Sequence, residues 1–330
     1  MVRIAIAGGA GNVGREIIDA LLAIKKHDIL ILSRKEAPAT PIAPGVKWAQ
    51  VSYDNIDELT RALDGIDTVL SFIAEPYNPG SAKPSIQRIL IDASIKAGVR
   101  RFAPSEWATS HFEGMHWYSF KNDTRNYLAE LNKDKKVIEY SLFIPGLFTN
   151  YLTFPFPSSK HVELFEMPID FYRRRILTLE GHEDDTITLT TTQDMAKVVA
   201  RAIDYEGEWP VFGGIVGSNI TISQLIALGE KIRGPFEVEK LNLDDLKAGV
   251  VKASWLPKVT HPAIPVEQRE SAAGALLTGI LSGIHNGCWK APNNAWNELL
   301  PDIELSRPED WLVDAWAKID AGAQSVHADE

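Results

Sequence analysis

A short apolar run, Val2 to Ala7, breaks onto glycines at positions 8, 11 and 14, and Val13, Ile17, Ile18, Leu21 and Leu22 then follow a helical period. Strand, glycine turn and helix start in this order constrain the chain more than any other feature. The run has the length and β-branched content of a buried strand. The glycines let the backbone turn tightly and approach a pyrophosphate, and the helix N-terminus turns its N–H groups toward the phosphate charge. This is a dinucleotide-binding fingerprint in GxxGxxG spacing, and it assigns Gly8, Gly11, Asn12, Val13 and Gly14 to a cofactor.

The residues that follow alternate between strand and helix. Strand patterns at Asp28–Ser33, Lys47–Ser52, Asp67–Ala74, Arg101–Pro104 and Val137–Phe143 are separated by helical patterns such as Asn55–Leu63 and Ser85–Ala97. Right-handed crossovers then give an α/β, doubly wound parallel sheet of the NAD(P)-binding Rossmann type. Such sheets bind ligands outside the carboxyl ends of their strands, so the segments after Ala7, Ser33, Ala74, Pro104 and Pro145 should line one cleft. Residues 1–152 are assigned to this domain, with 186–205 returning to it. Residues 153–330 are read mainly as a smaller α+β substrate cap, with the polar stretch 321–330 as a mobile tail.

An NAD-specific site places a carboxylate about 20 residues beyond the glycines. Here Arg34 and Lys35 stand there instead. A guanidinium pairs with a 2′-phosphate in bidentate fashion, which favours NADP(H). Phe72 and Ser105, at the ends of the fourth and fifth strands, are placed with the cofactor.

The chain has 330 residues, 45% hydrophobic and 24% charged, with a formal charge of -10. That acidity argues against a nucleic-acid or anionic-membrane partner, and no apolar run reaches the ~20 residues of a membrane span. The lone Cys288 and a first strand beginning at Val2 point to a cytoplasmic protein without a leader peptide. The stretch His182-Glu183-Asp184-Asp185 lacks the second histidine of a HExxH zinc site, and no other metal-ligand spacing is found, so no metal is expected. The Arg173-Arg174-Arg175 run reads as a solvated face, with attraction of an anionic substrate as the alternative.

The glycine turn, Ser33-Arg34 and Leu63-Asp64-Gly65-Ile66-Asp67-Thr68-Val69-Leu70-Ser71 resemble the NmrA-like and isoflavone-reductase-like families, which are atypical short-chain dehydrogenases/reductases. Ala97 to Trp107 (AGVRRFAPSEW) is similar to their "AGVKRFxPSEF" stretch, Lys121 to Arg125 to their Lys-x-x-x-Arg element, and Pro145-Gly146-Leu147-Phe148 to the turn that follows. The resemblance covers residues 2–205 and implies that the glycines and the arginine hold NADPH and that Lys121 is catalytic. Such a lysine binds nicotinamide-ribose hydroxyls and supplies or relays a proton. Short-chain dehydrogenases usually pair it with a tyrosine four residues earlier; this chain has Trp117 there, with Tyr118 at a different spacing.

Trp107, Trp117, Phe148, Tyr151, Phe154 and Phe156 concentrate aromatic side chains near the expected cleft and suit a flat or phenolic substrate, or else core packing. His111 and His116 are loop candidates for proton shuttling, and Glu106 for ordering the loop. The leading function is therefore an NADPH-dependent reductase of a small aromatic or conjugated carbonyl-type molecule. A nucleotide-sensing regulator without turnover and a non-redox isomerase or cyclase on the same scaffold remain open, because a fold and a cofactor fix a site but not its reaction.

Overall fold

The computed structural model describes residues 1–75, 85–260 and 264–327. Its centre is a six-stranded parallel sheet in the order β3-β2-β1-β4-β5-β6, formed by β1 (Arg3–Ala7), β2 (Asp28–Ser33), β3 (Lys47–Gln50), β4 (Thr68–Ser71), β5 (Arg101–Ala103) and β6 (Glu139–Tyr140). Helices α1 (Asn12–Ile24), α2 (Ile56–Ala62), α3 (Ile86–Lys96) and α4 (Ser119–Leu131) make the crossovers. Side chains along β1 alternate between faces. Ile4 and Ile6 join a core with Ile17, Ile18 and Leu21 of α1. Ala5 and Ala7 face the opposite core, with Leu59, Leu63, Leu90 and Ile91 of the α2–α3 side. Both faces are covered, which is why these strands read as unbroken apolar runs.

The strand expected at Val137–Phe143 divides. The Ser141 amide still donates to Phe102 O, but the Leu142 amide donates to Val211 O. Leu142–Ile144 thus becomes β7, which changes partner and pairs with the later strand at Phe212–Gly214.

The chain then adds β8 (Leu147–Phe148), β9 (Ile169–Asp170), β10 (Arg175–Leu179), β11 (Thr186–Thr190), α5 (Thr192–Asp204), β12 (Phe212–Gly214), β13 (Ser218–Thr221), α6 (Ile222–Arg233), β14 (Glu237–Leu241), α7 (Leu243–Lys247), α8 (Arg269–His285), α9 (Ala295–Leu299) and α10 (Pro308–Asp320). Two three-stranded sheets, β14-β10-β9 and β13-β11-β8, carry a second core. Helix α5 starts where Thr191 Oγ1 accepts the Asp194 amide, and the buried Asp194 carboxylate accepts the Thr191 hydroxyl and the Ser306 amide. Its apolar face, including Val198, Val199 and Ala202, packs beside α1, and Trp209 and Trp296 join the same core. The tail expected to be mobile is docked at least through Val326, whose amide donates to Pro157 O and whose side chain packs on the second core. Residues 328–330 of that tail lie outside the described residues.

Arg101 sits fully buried in β5, opposite Glu139 of β6. Its Nε donates to Glu139 Oε1 at 2.7 Å, and its terminal nitrogens donate to Tyr205 O and Gly207 O at 2.7 and 2.6 Å. The guanidinium also lies 5.0 Å from the centre of the Trp209 ring. A buried charge that loses its counter-ion is costly, so Glu139→Ala is expected to destabilise by about 3 kcal/mol in urea unfolding. A change below about 0.5 kcal/mol would mean that the backbone carbonyls alone satisfy Arg101.

Candidate active site

The described segments after β1, β2, β4 and β5 leave the carboxyl edge of the sheet, whereas residues 76–84, in the segment expected to line the cleft after Ala74, lie outside the described residues. Gly8 leaves β1 at φ +77, and a Cβ there would meet Phe72 backbone atoms at 3.2 Å, so this turn needs glycine. A Cβ on Gly14 would come 2.8 Å from Gly9 Cα, so that glycine is what seats α1 against the turn. Gly11 is the N-cap of α1, with no side-chain cap and no acidic residue in the first turn. The opening amides of the helix are therefore left for an external anion. Gly11 and Asn12 are exposed, Gly8 and Val13 half-buried and Gly14 buried.

Arg34 and Lys35 follow β2 and are exposed. Gln50 Nε2 donates to Arg34 O at 3.3 Å and Trp48 Nε1 to Lys35 O at 3.0 Å, while the Lys35 amide donates to Ser33 Oγ at 3.1 Å. The backbone is thus pinned while the side chains stay free: among the described residues neither cation has an acidic partner within 4.0 Å. A backbone cradle plus an unpaired cation pair is the donor set that a pyrophosphate and a 2′-phosphate require.

After β5, the chain runs through Ser105 and Glu106 into a loop that α4 closes. Glu106 is buried, and its carboxylate takes the Arg125 fork, Nε at 2.9 Å and a terminal nitrogen at 2.6 Å. Arg125 also donates to Ser110 O and Thr109 O, and its guanidinium lies 4.3 Å from the Phe112 ring centre. Lys121, one turn before Arg125 on α4, is buried; its Nζ donates to Glu106 O at 2.6 Å and stands 4.1 Å from the Tyr118 ring centre. Burial holds the ammonium down to about 8, the Glu106 charge opposing the shift and Arg125 adding to it. Ser105 is half-buried beside them. Glu106 thus orders the loop and holds Lys121 through its carbonyl.

The aromatic concentration separates into core and margin. Trp107, expected to meet substrate, is a core side chain: φ is +55, its Nε1 donates to Ser71 O at 2.7 Å, and its ring is stacked between Phe72 at 4.4 Å and Phe143 at 5.5 Å. Phe143 in turn stacks on Trp296 at 5.2 Å. This file of rings ties the ends of β4, β5 and β7 together, with half-buried Phe72 as its outer member. Phe148 is likewise buried, tilted against Tyr151. Tyr151, Phe154 and Trp117 are half-buried. Trp117 packs on Gly279 of α8, and burial raises the Tyr151 hydroxyl above its ordinary range. Phe156 meets Trp316 and Tyr172 edge-on. His111 is half-buried with Nδ1 3.3 Å from Cys288 Sγ, and His116 is exposed. Burial pushes the Cys288 thiol up to about 11, which suits a hydrogen-bond donor and not a nucleophile. The arginine run is largely neutralised: Asp170 accepts from both Arg173 and Arg175.

One feature of the site was missed in the sequence. Glu16, buried on α1, accepts from the His161 amide at 2.6 Å and from the Ser159 hydroxyl, and so fastens the 158–162 segment to the helix that follows the glycine turn. Its carboxylate within an apolar helical face was the available signal.

Oxidoreductase BOA1 of Botryotinia fuckeliana is 29% identical over 239 residues, 71% of this chain and 77% of its own. Oxidoreductase swnN of Metarhizium robertsii is 24% identical across 96% of this chain and 98% of its own. In the NADPH complex of the Escherichia coli NADPH-dependent quinone oxidoreductase QOR2, the fold matches with a TM-score of 0.66 at 21% identity, over 96% of this chain and 99% of that one. Residues 2–247 match the NmrA-like family. The chain belongs to the NmrA-like family.

Proposed function

We infer that the protein is an NADPH-dependent reductase of a small aromatic or conjugated carbonyl-type molecule. The observation that carries the reading is the buried Lys121 ammonium, held at about 8 on the same edge of the sheet as an uncapped glycine turn and an unpaired Arg34. The oxidoreductase names of two fungal relatives support the reaction class, and the NADPH bound by the quinone oxidoreductase of the same fold supports the coenzyme. NADPH, once bound, supplies a hydride to the acceptor.

The chain's own residues divide the remaining work. Gly8, Gly11, Asn12, Val13 and Gly14 receive the pyrophosphate, and Arg34 with Lys35 the 2′-phosphate. Phe72, backed by Trp107, offers a flat apolar surface beside the turn, and Ser105 a hydroxyl. Among the described residues Lys121 Nζ makes one hydrogen bond, to Glu106 O, and so keeps two of its three donors. These bind ribose hydroxyls and pass a proton to an oxygen that gains charge, the task a tyrosine does in related dehydrogenases and that Trp117 cannot do. Half-buried Tyr151, Phe154 and Trp117 are the aromatic margin available to substrate.

The test is NADPH oxidation, followed by the absorbance of the reduced nicotinamide, against quinones, enones and phenolic ketones. Turnover of at least one class is expected. A protein that binds NADPH, oxidises none of these and co-purifies with a specific partner would instead be a nucleotide sensor.

A further inference from the structure

We propose that His182, Asp185 and His285 form a binding site for one divalent transition-metal ion, zinc by its ligand chemistry, in the cap. The sequence shows only the first two of these ligands, three residues apart in the turn between β10 and β11. The second imidazole, which a local motif lacks, arrives from the last residue of α8, a hundred positions on. No linear spacing reveals this trio, because only the fold brings His285 to the turn.

The distances suit an ion. Asp185 Oδ2 lies 3.1 Å from His285 Nδ1 and 3.9 Å from His182 Nδ1. Ligand atoms at about 2.0–2.1 Å from a tetrahedral zinc stand about 3.3–3.4 Å apart, so these two separations bracket the value required. One ligand atom from each residue lies within 4.8 Å of the others, and the two imidazole rings are 4.2 Å apart, centre to centre.

The scaffold is already fixed. In the turn, the His182 amide donates to Leu179 O and the Asp185 amide to His182 O, while the Ile222 and Ser223 amides hold Asp185 O and Glu183 O. His285 is set by the close of α8, where the Asn286 amide donates to Ser282 O and the Gly287 amide to Ile284 O. The neighbouring Glu183 is engaged by Lys240 at 2.6 Å and so does not compete. Ile222, Leu281 and Ile284 line an apolar depression with His182 and Asp185. Such a floor limits water on one side and strengthens the attraction between ion and carboxylate. The three side chains are about a quarter to a third exposed, so an ion has a path in. Three protein ligands leave a fourth position for water or a small anion. The site shares no residue with the glycine-turn cleft, and its ion would clip the β10–β11 turn to α8.

The ordinary alternative is an Asp185–His285 ion pair with no ion. To separate the two, untagged full-length protein freed of metal with EDTA is titrated with Co²⁺ and then with Zn²⁺. The expected result is one Co²⁺ per chain with the visible ligand-field absorption of a low-coordinate ion, displaced stoichiometrically by Zn²⁺. His182→Gln and His285→Gln should each weaken binding by at least the roughly 10–100-fold that loss of an outer-shell partner costs. Zn²⁺ at a hundred times its Kd should raise the Tm of the wild type by about 3–6 °C and that of the double variant by none. Absence of Co²⁺ binding by the wild type, or unchanged stoichiometry and affinity in the double variant, overturns the proposal. Far-UV circular dichroism without metal checks the variants. His182→Gln, in a turn where the side chain is 32% exposed, carries the test alone if substitution at His285 perturbs α8.

Discussion

Replacing Lys121 with methionine is expected to lower kcat by about 10²–10⁴-fold, the range of a lost proton-transfer group, while the protein stays folded. Methionine fills the stem's volume within the loop that Glu106 and Arg125 hold. Two opposing terms set the stability. The buried ammonium is a strained charge, its acid–base midpoint near 8 in the fold against 10.5 in the open chain. Below pH 8 both states are protonated, and the fold bears a burial cost of roughly 3–4 kcal/mol at most. Methionine removes that cost but leaves Glu106 O without its donor, a loss of about 1–3 kcal/mol. The net change at pH 7 is therefore expected to lie within about 2 kcal/mol by urea unfolding.

The pH dependence follows from the same displacement, with its sign fixed by proton counting. Between about 8 and 10.5 the unfolded chain holds the Lys121 proton and the folded chain has released it. Through that window this residue makes wild-type stability rise with pH, and Lys121→Met should lack the contribution. Activity runs the other way. Donation requires the ammonium, so kcat/KM should fall as pH rises through about 8. Wild-type turnover by Lys121→Met would assign the proton to another group; a variant that loses activity because it unfolds would show that Lys121 is structural.

The second large effect concerns coenzyme choice. Arg34→Ala is expected to cut the preference for NADPH over NADH by about 10–100-fold, the worth of one or two charge-assisted hydrogen bonds. NADH affinity should change little, since NADH presents no 2′-phosphate. Gln50 and Trp48 hold the main chain at positions 34 and 35, so losing the side chain should leave the loop in place. An unchanged ratio of affinities, measured by calorimetric titration of both coenzymes, would remove Arg34 from the site.

The nucleotide half was legible because its constraints are local. Buried parallel strands leave dense apolar runs, and Gly8 and Gly14 occupy positions where the backbone admits no side chain. The later part was less legible because its pairings are distant and its strands short. β9 spans only Ile169–Asp170, too few residues for a period, and is defined by pairing with β10. α10 is different: Pro308 in its first turn and Leu312, Ala315, Trp316 and Ile319 on its buried face carry a helical signal in the sequence itself. In the site, the resemblance of Lys121–Arg125 to the family's Lys-x-x-x-Arg element singled out Lys121, but residue type could not sort the aromatics. Whether Trp107 lines a cleft or fills a core depends on Phe72 and Phe143, and that is a property of the folded sheet. His285 illustrates the same limit, since only tertiary structure brings it to Asp185.

The central claim is that the Gly8–Gly14 turn with Arg34 holds NADPH. Titration of the purified protein with NADPH and, separately, with NADH in a calorimeter tests it most directly. One NADPH per chain, bound at least about 10-fold more tightly than NADH, is the expected result. No heat of binding from either coenzyme would contradict it, and the assignments of Arg34 and Lys121 would fall with it.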